Sequence, residues 1–264
     1  MTLSRWQLFR IAFRSLFLQA SWNYRGMMSM GFLYSIAPGL DYIYPDGPER
    51  EMAYMRHFEY FNTNPYFSSV VMGVTLTLEE RLQDGDKSVT PETIHNAKDA
   101  LMTSLAAIGD GFFWDSWRPF VAVLSIVFAS GHYMLTPFIF LLLYNIPHLY
   151  LRFVGIYWGY NNGMNVIKKL KQFQFPQIRQ TMRIGTLVLL AYLIPNNVTI
   201  ETSFLSDVMS LRYLVFGKKV VQGLGALAFV ALGICAYRNK LDVLLISFLL
   251  LIFALVLYHW EILI

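Results

Sequence analysis

The chain has 264 residues, a formal net charge of +4, 56% hydrophobic residues and 14% charged residues. An ordinary soluble domain carries about 25% charged residues, so this composition is typical of a membrane protein and argues against functions confined to the cytosol. The basic residues form no long Lys/Arg block of the kind found in nucleic-acid-binding arms, so we expect no nucleic acid partner.

The first predicted element is an amphipathic helix within residues 1–25. Apolar residues recur at helical spacing on one face, and arginines recur on another. The apolar residues are Trp6, Phe9, Phe13 and Leu16, and the arginines are Arg10 and Arg14. This pattern suits a helix that lies in the membrane interface, with its arginines toward lipid phosphates. An amphipathic helix packed on the rest of the protein fits it equally well. No uninterrupted apolar segment with a cleavage site follows, so we expect no removable signal peptide.

Three apolar segments follow that are too short to span a bilayer, which takes about 20 residues. They cover residues 27–44, which Pro38, Gly39 and Asp41 interrupt, and residues 66–78 and 100–108. Such segments are typical of re-entrant half-helices that line a cavity within the membrane. The alternative is the helical core of a soluble protein. We assign residues 26–163 to a core with re-entrant segments.

Two polar connections separate these segments. Residues 44–51 read YPDGPERE, which is a strong turn signal. Residues 79–99 contain Thr90 before Pro91, and this pair predicts a helix start because the hydroxyl caps the helix and proline fits its first turn.

The next long apolar stretch, residues 120–151, predicts two helices or one bent pair, with interruptions at 131–132 and 136–137. Residues 168–183 carry five basic side chains and no acid, so the positive-inside rule predicts a cytoplasmic loop. An apolar run at 184–195 follows this loop.

The remaining chain predicts further crossings within a C-terminal region, residues 164–264. We expect residues 196–222 outside, residues 238–240 in the cytoplasm and the C-terminus outside. Residues 243–257 include thirteen Val, Ile, Leu or Phe among fifteen. On an insertion scale they favour the bilayer by roughly 4–8 kcal/mol. The predicted fold is therefore an all-α, multi-pass membrane protein with a single domain over residues 1–264.

The segment HFEYFNTNPY places Asn62 and Asn64 beside four aromatic residues. An amide both donates and accepts hydrogen bonds, as a sugar hydroxyl does, and an aromatic face suits the apolar side of a pyranose. The structural alternative is that the two asparagines end one helix and cap the next.

Acidic and basic residues occur at two further places near apolar segments. Gly109 and Gly111 flank Asp110 and predict a turn, after which Arg118 could pair with Asp110 or Asp115. Charged groups at membrane depth usually pair or line a wet pathway. Glu79 follows a short apolar segment, and we expect it at a solvated helix end, although it could reach a cavity.

No sequence motif of a known enzyme class is present, and the five histidines are not spaced as metal ligands. We therefore expect no catalytic residue, metal or cofactor. Two other classes stay open on the residues alone. The first is a stand-alone ion-coupled transporter with Asp110 and Glu79 as ion ligands, and the second is a membrane enzyme with Asp110 or Asp115 as its acid.

The sequence resembles the IID membrane component of the mannose family of bacterial phosphotransferase systems. The resemblance covers nearly the whole chain and is dense over residues 14–163. It is carried by the segments LFLQASWNYRGMMSMGFLYSIAP, RHFEYFNTNPY, VMGVTLTLEE, LMTSLAAIGDGFFW and LLYNIPHLYLRFVGIYWGYNNG. One departure is that residues 103–110 read TSLAAIGD where the family usually has GPLAGIGD, which makes the backbone less permissive and points to a less usual sugar or amino-sugar derivative.

The resemblance implies a transport subunit in the bacterial cytoplasmic membrane that is not itself phosphorylated. Its implied partners are a IIC membrane subunit, the cytoplasmic phosphocarriers IIA and IIB, the sugar and the lipid bilayer. IIC–IID pairs are expected to form a trimer that carries a mannose-type sugar inward for phosphorylation by IIB. The implied sugar-site residues are Asn62 and Asn64, with Trp22 and Asn23 as further candidates. Asp110, Arg118 and Glu79 are assigned to the architecture of the pathway.

Overall fold

The structure is a computed structural model that describes residues 2–129 and 133–197. Within these ranges the chain is helical and has no strand, which confirms the all-α prediction. The helices are α1 (Arg5–Arg14), α2 (Ser29–Ile43), α3 (Pro48–His57), α4 (Ser68–Gln83), α5 (Pro91–Gly109), α6 (Arg118–Phe128), α7 (Thr136–Asn162), α8 (Val166–Lys171) and α9 (Phe175–Asn197). The predicted elements at residues 198–264, including the terminal apolar helix and the external C-terminus, lie outside the described residues.

Helix α1 begins with a capping box, in which Ser4 accepts from the Gln7 amide and the Gln7 side chain accepts from the Ser4 amide. These reciprocal bonds satisfy two amide groups that a helix N-terminus otherwise leaves free. One face of α1 is buried through Leu8, Ile11 and Ala12. The helix therefore packs on the rest of the protein, as one of the two interpretations of the N-terminal pattern requires, while its aromatic side stays exposed.

Helix α2 continues through Pro38 to Ile43, so the predicted interruption at Pro38, Gly39 and Asp41 is wrong. Proline removes one hydrogen bond to the carbonyl four residues earlier, but it does not prevent a helix whose packing is strong. Phe32, Ile36 and Leu40 are fully buried along one face of α2. Burial on both sides of Pro38 holds the helix together across the missing bond.

Among the described helices α4 and α7 form the closest pair, because small residues let their backbones approach closely. A Cβ atom added at Gly159 would lie 2.1 Å from the Val70 carbonyl oxygen, and one added at Gly73 would lie 2.2 Å from the Ile156 carbonyl oxygen. Gly155 and Gly159 are four residues apart on α7, as are Ser69 and Gly73 on α4. This small-xxx-small spacing is typical of helix pairs in membranes.

The predicted helix start at Thr90 is confirmed, since its hydroxyl accepts from the Thr93 amide at 3.1 Å. The turn predicted at Gly109–Gly111 is wrong. Helix α5 passes directly into a π-helical stretch, Asp110–Trp117, which leads into α6. In an α-helix the ring of Pro119 would collide with the carbonyl four residues earlier, and the wider π turn relieves this crowding.

The apolar stretch at 120–151 forms two helices, α6 and α7, with residues 130–132 outside the described ranges. The predicted loop at 168–183 is instead mostly helical. Helix α8 ends at Lys171, and α9 begins at Phe175 with Pro176 in its first turn. By length and composition the helical range Thr136–Lys171 can cross a membrane, since its apolar 18-residue window has a mean hydropathy of 1.5.

Candidate functional site

The loop between α3 and α4 carries the FNTNPY motif, and backbone hydrogen bonds fix its position. The Phe61 carbonyl accepts from the Met28 amide at 2.9 Å, and the Phe61 amide donates to the Gly26 carbonyl at 3.2 Å. The Phe61 side chain is fully buried. Phe61 therefore anchors the start of the motif, and the polar residues that follow it lie just before α4.

Two of the predicted site residues, Asn64 and Asp110, are in direct contact. The Asn64 side chain is buried, and its Nδ2 donates to Asp110 Oδ1 at 2.9 Å. Its Oδ1 accepts from the Tyr66 amide at 3.1 Å. Gly109 makes the contact possible, because a Cβ atom there would lie 2.4 Å from Asn64 Cγ. Asn64 thus closes a turn that precedes α4 and joins the loop to the π-helical stretch.

Tyr66 extends this contact toward α7. Its ring centroid lies 4.0 Å from that of His148, and its hydroxyl is 3.0 Å from the Tyr144 hydroxyl. The Phe113 ring meets Tyr66 edge-on at 4.5 Å. His148 Nδ1 lies 3.1 Å from Asn145 Oδ1. Hydroxyl, imidazole and amide groups therefore lie beside aromatic faces, and each of these groups can donate or accept a hydrogen bond.

Arg152 of α7 also contacts the loop before α4. This residue was not identified from the sequence. Arg152 is 4% exposed, and its guanidinium donates to the Pro65 carbonyl at 2.9 Å and also to the Ser15 carbonyl. Among the described residues no carboxylate pairs with it. A buried arginine within an apolar helix indicates a functional or architectural role, and its position in LYLRFVG was the signal available in the sequence.

Glu79 lies toward the other end of α4, eleven residues after Ser68 or about 16 Å along the helix axis. It is fully buried, so its predicted position at a solvated helix end is wrong. Arg56 binds both carboxylate oxygens at 2.9 and 2.7 Å, and His57 Nε2 lies 2.6 Å from Oε1. The Tyr44 hydroxyl donates to Oε2 at 2.7 Å. These four bonds link α3 and α4 to Tyr44, the residue that follows α2.

The titration of this cluster follows from its burial and its hydrogen bonds. Burial alone would raise the pKa of the Glu79 carboxyl, but hydrogen bonds from His57 and Arg56 outweigh it and lower the pKa to about 2. Burial lowers the pKa of His57 below its usual value of 6.5. Glu79 is therefore ionised and its oxygens are occupied by protein donors, which argues against Glu79 as a cation ligand.

The other predicted site residues do not meet at one point. Asn62 is exposed, and only its backbone amide is engaged, toward Met102 Sδ at 3.2 Å. Asn23 closes a turn, because its Oδ1 accepts from the Arg25 and Gly26 amides at 3.1 and 2.8 Å. Exposed Trp22 stacks edge-on with Tyr24.

Arg118 is exposed and lies over the Trp114 ring at 5.6 Å, so its predicted pairing with Asp110 or Asp115 is wrong within the described residues. Asp115 instead faces Arg179 and Arg183 of α9 at 3.8 and 3.9 Å. Because α9 was not predicted to approach this stretch, the sequence offered no indication of these partners.

A polar cleft adjoins the Asn23 turn. It has a volume of about 500 Å³ and is lined by residues from two loops, including Asn23, Arg25, Phe58, Glu59 and Tyr60. The Glu59 carboxylate is also 2.8 Å from His95 Nδ1 of α5. Asn23 is thus a structural turn residue that also lines an open cleft together with its neighbours.

Comparison with known proteins agrees with the resemblance in the sequence. Residues 2–263 match the family described as the PTS system mannose/fructose/sorbose family IID component. The PTS system mannose-specific EIID component of Escherichia coli (strain K12) is 37% identical over 158 residues, which cover 60% of this chain. The matched part spans 56% of the length of that relative.

A second relative and a solved structure extend the comparison. The fructose permease IID component of Bacillus subtilis (strain 168) is 30% identical over 199 residues, covering 75% of this chain and 72% of the relative. The cryo-EM structure of the mannose transporter ManYZ in complex with microcin E492 (MceA) is similar with a TM-score of 0.59 and 26% identity, covering 99% and 98% of the two chains. The chain therefore belongs to the IID components of the mannose/fructose/sorbose family of phosphotransferase systems.

Proposed function

We propose that this chain is the IID half of a sugar permease in the bacterial cytoplasmic membrane. Together with a IIC subunit it forms the pathway that carries a mannose-type sugar or amino-sugar derivative inward, where IIB phosphorylates it. The relatives named as mannose-specific and fructose components and the similarity to ManYZ support this proposal. The chain itself moves the sugar and makes no bond, and IIC–IID pairs assemble into a trimer.

The contact between Asn64 and Asp110 is the structural observation that supports placing the sugar site at the loop before α4. It joins the amide-rich loop to the π-helical stretch, and π-helical turns occur frequently at functional sites. Both the Nδ2 and the Oδ1 atoms of Asn64 are hydrogen-bonded to protein partners, so its role is to position the loop. Asn62 has an exposed amide two residues earlier and is the residue that contacts the sugar.

The transport proposal is tested by expressing the chain with its IIC subunit and the phosphocarriers IIA and IIB, and by measuring uptake and phosphorylation of a panel of sugars. Asn62→Ala is expected to raise the KM for uptake about tenfold, because a hydrogen bond to a sugar hydroxyl is worth about 1.4 kcal/mol. Asn96→Ala, at an exposed asparagine of α5, is the matched control and leaves uptake unchanged.

Two outcomes count against distinct parts of this proposal. Normal uptake by the Asn62→Ala variant removes Asn62 from the sugar site but leaves the permease function intact. Uptake by the chain without IIC, abolished when the ion gradient is collapsed, contradicts the permease function and favours the ion-coupled transporter.

A further inference from the structure

Helix α1 has an exposed aromatic stripe beside its buried face. Trp6, Phe9, Phe13 and Phe17 are between 41% and 66% exposed. The Trp6 ring stacks on Phe9 at 5.6 Å, and Phe9 stacks on Phe153 of α7 at 5.5 Å. The stripe is therefore held in a fixed order against a helix that can cross a membrane, and it needs an apolar environment outside the chain.

A groove runs along the edge of this stripe, between α1 and α2. It has a volume of about 550 Å³ and is lined by Trp6, Phe9, Arg10, Phe13, Arg14 and Tyr34. The Arg14 guanidinium lies 3.9 Å from the centre of the Tyr34 ring. The groove thus has an aromatic wall and a basic rim that belong to the same site.

The basic rim has no acidic partner among the described residues. The first forty residues contain four arginines and neither Asp nor Glu. The first acid of the chain, Asp41, already accepts a hydrogen bond from Tyr54 and faces Arg50 at 3.9 Å. Arg14 Nε is buried and has no hydrogen-bond partner in the described residues. Within the described residues the Arg10 and Arg14 side chains form no hydrogen bond or ion pair, so an anion in the groove would supply acceptors for the guanidinium nitrogens that face it.

We propose that the groove between α1 and α2 binds an anionic phospholipid. Arg10 and Arg14 hold the headgroup phosphate, since guanidinium groups bind phosphate through paired, charge-assisted hydrogen bonds. The acyl chains lie along Trp6, Phe9 and Phe13, and aromatic side chains of this kind concentrate at the membrane–water interface.

The lining selects a lipid over a free phosphate ion. Four of the six residues that line the groove are aromatic, and a small ion bound at the rim would leave these rings exposed to water. A phospholipid satisfies the arginines and covers the rings with one molecule. The inference concerns a lipid site and is independent of which sugar the protein carries.

The test is native mass spectrometry of the full chain, purified with its co-expressed membrane neighbours and released from nanodiscs that contain phosphatidylcholine and phosphatidylglycerol. The wild-type chain is expected to retain phosphatidylglycerol in preference to phosphatidylcholine. The double variant Arg10→Gln/Arg14→Gln is expected to lose this preference by roughly 30-fold, from about 1 kcal/mol for each basic residue near an anionic lipid surface. Arg5→Gln, on the same helix but outside the groove, is the matched control and retains the lipid.

A second measurement leaves both arginines in place. Phe13 is replaced by the photo-crosslinking residue p-benzoylphenylalanine, and the adducts formed in the membrane are identified. A phosphatidylglycerol adduct, unaffected by an excess of inorganic phosphate, supports the proposal. Adducts with protein alone, or equal lipid retention by the wild type and the double variant, overturn it and assign the face to a partner subunit.

Discussion

Asn64 donates its side-chain amide to the Asp110 carboxylate at 2.9 Å, and this contact joins two segments that are 46 residues apart in the sequence. The amide is buried, whereas the carboxylate belongs to an exposed residue at the start of the π-helical stretch. The loop before α4 and the junction after α5 therefore keep a fixed spacing.

Replacing Asp110 tests how much this contact stabilises the protein. Asp110→Ala leaves the buried Nδ2 of Asn64 without an acceptor, which costs about 1–3 kcal/mol. Asp110→Asn keeps a carbonyl acceptor and is expected to recover most of the loss. Thermal unfolding in detergent measures both variants, and an equal loss of stability in the two would contradict the assigned hydrogen bond.

Enlarging Gly159 tests the close approach of α4 and α7. Its Cβ would meet the Val70 carbonyl oxygen, which is backbone and cannot rotate away. Gly159→Leu is therefore expected to force the helices apart and to destabilise the protein by about 3 kcal/mol, the upper range for overpacking. Leu142→Ala, at an exposed position of α7, serves as the control and has a much smaller effect. An unfolding temperature equal to that of the control would show that the helices are not packed as described.

Glu79→Gln tests the buried ion pair. Removing the carboxylate charge leaves the Arg56 guanidinium uncompensated, and breaking a buried pair costs about 3–5 kcal/mol. Glu92→Gln removes an exposed acid in the first turn of α5 and changes stability little. Measured unfolding free energies that are alike in the two variants would argue that Arg56 finds another acceptor.

Stability is also expected to depend on pH through the same cluster. The pKa of His57 and that of Glu79 are both lowered in the folded chain, so the unfolded chain binds more protons. Stability therefore falls as the pH drops through 6.5 and falls further below 4.5, the ordinary pKa values of the two groups. Burial of His57 near Arg56 and Lys98 makes its protonation costly.

The His57→Gln variant separates the two contributions, because glutamine can still donate to Glu79 but does not titrate. Its unfolding temperature is expected to vary less than that of the wild type between about pH 7 and pH 5. The exposed His95 provides the control His95→Gln. A decline with falling pH that is unchanged in His57→Gln would assign the dependence to other groups.

Local signals in the sequence predicted local structure well. The Thr90–Pro91 helix start and the separation of α6 from α7 followed from capping and proline rules that act within a few residues. The same rules failed at Pro38 and at Gly109–Gly111, where packing kept the helix continuous. Propensity is a weak guide at such positions because tertiary contacts override it.

Side-chain contacts between residues far apart in the chain could not be predicted from the sequence. The acidic partner assigned to Arg118 was wrong because Asp115 faces α9 instead. Glu79 was expected in solvent, yet Arg56 and His57 of α3 enclose it. The FNTNPY loop was identified from its composition alone, and its contact with Asp110 required the fold. Whether α2, α4 and α5 turn back inside the membrane stays a prediction.

Helices α5 and α6 and the π-helical stretch between them form one unbroken column over residues 91–128. Asp110 lies near the middle of this column. Because no loop interrupts residues 91–128, the hydrogen bond from Asn64 to Asp110 fastens the amide-bearing loop to the middle of a continuous helical segment rather than to a flexible connection.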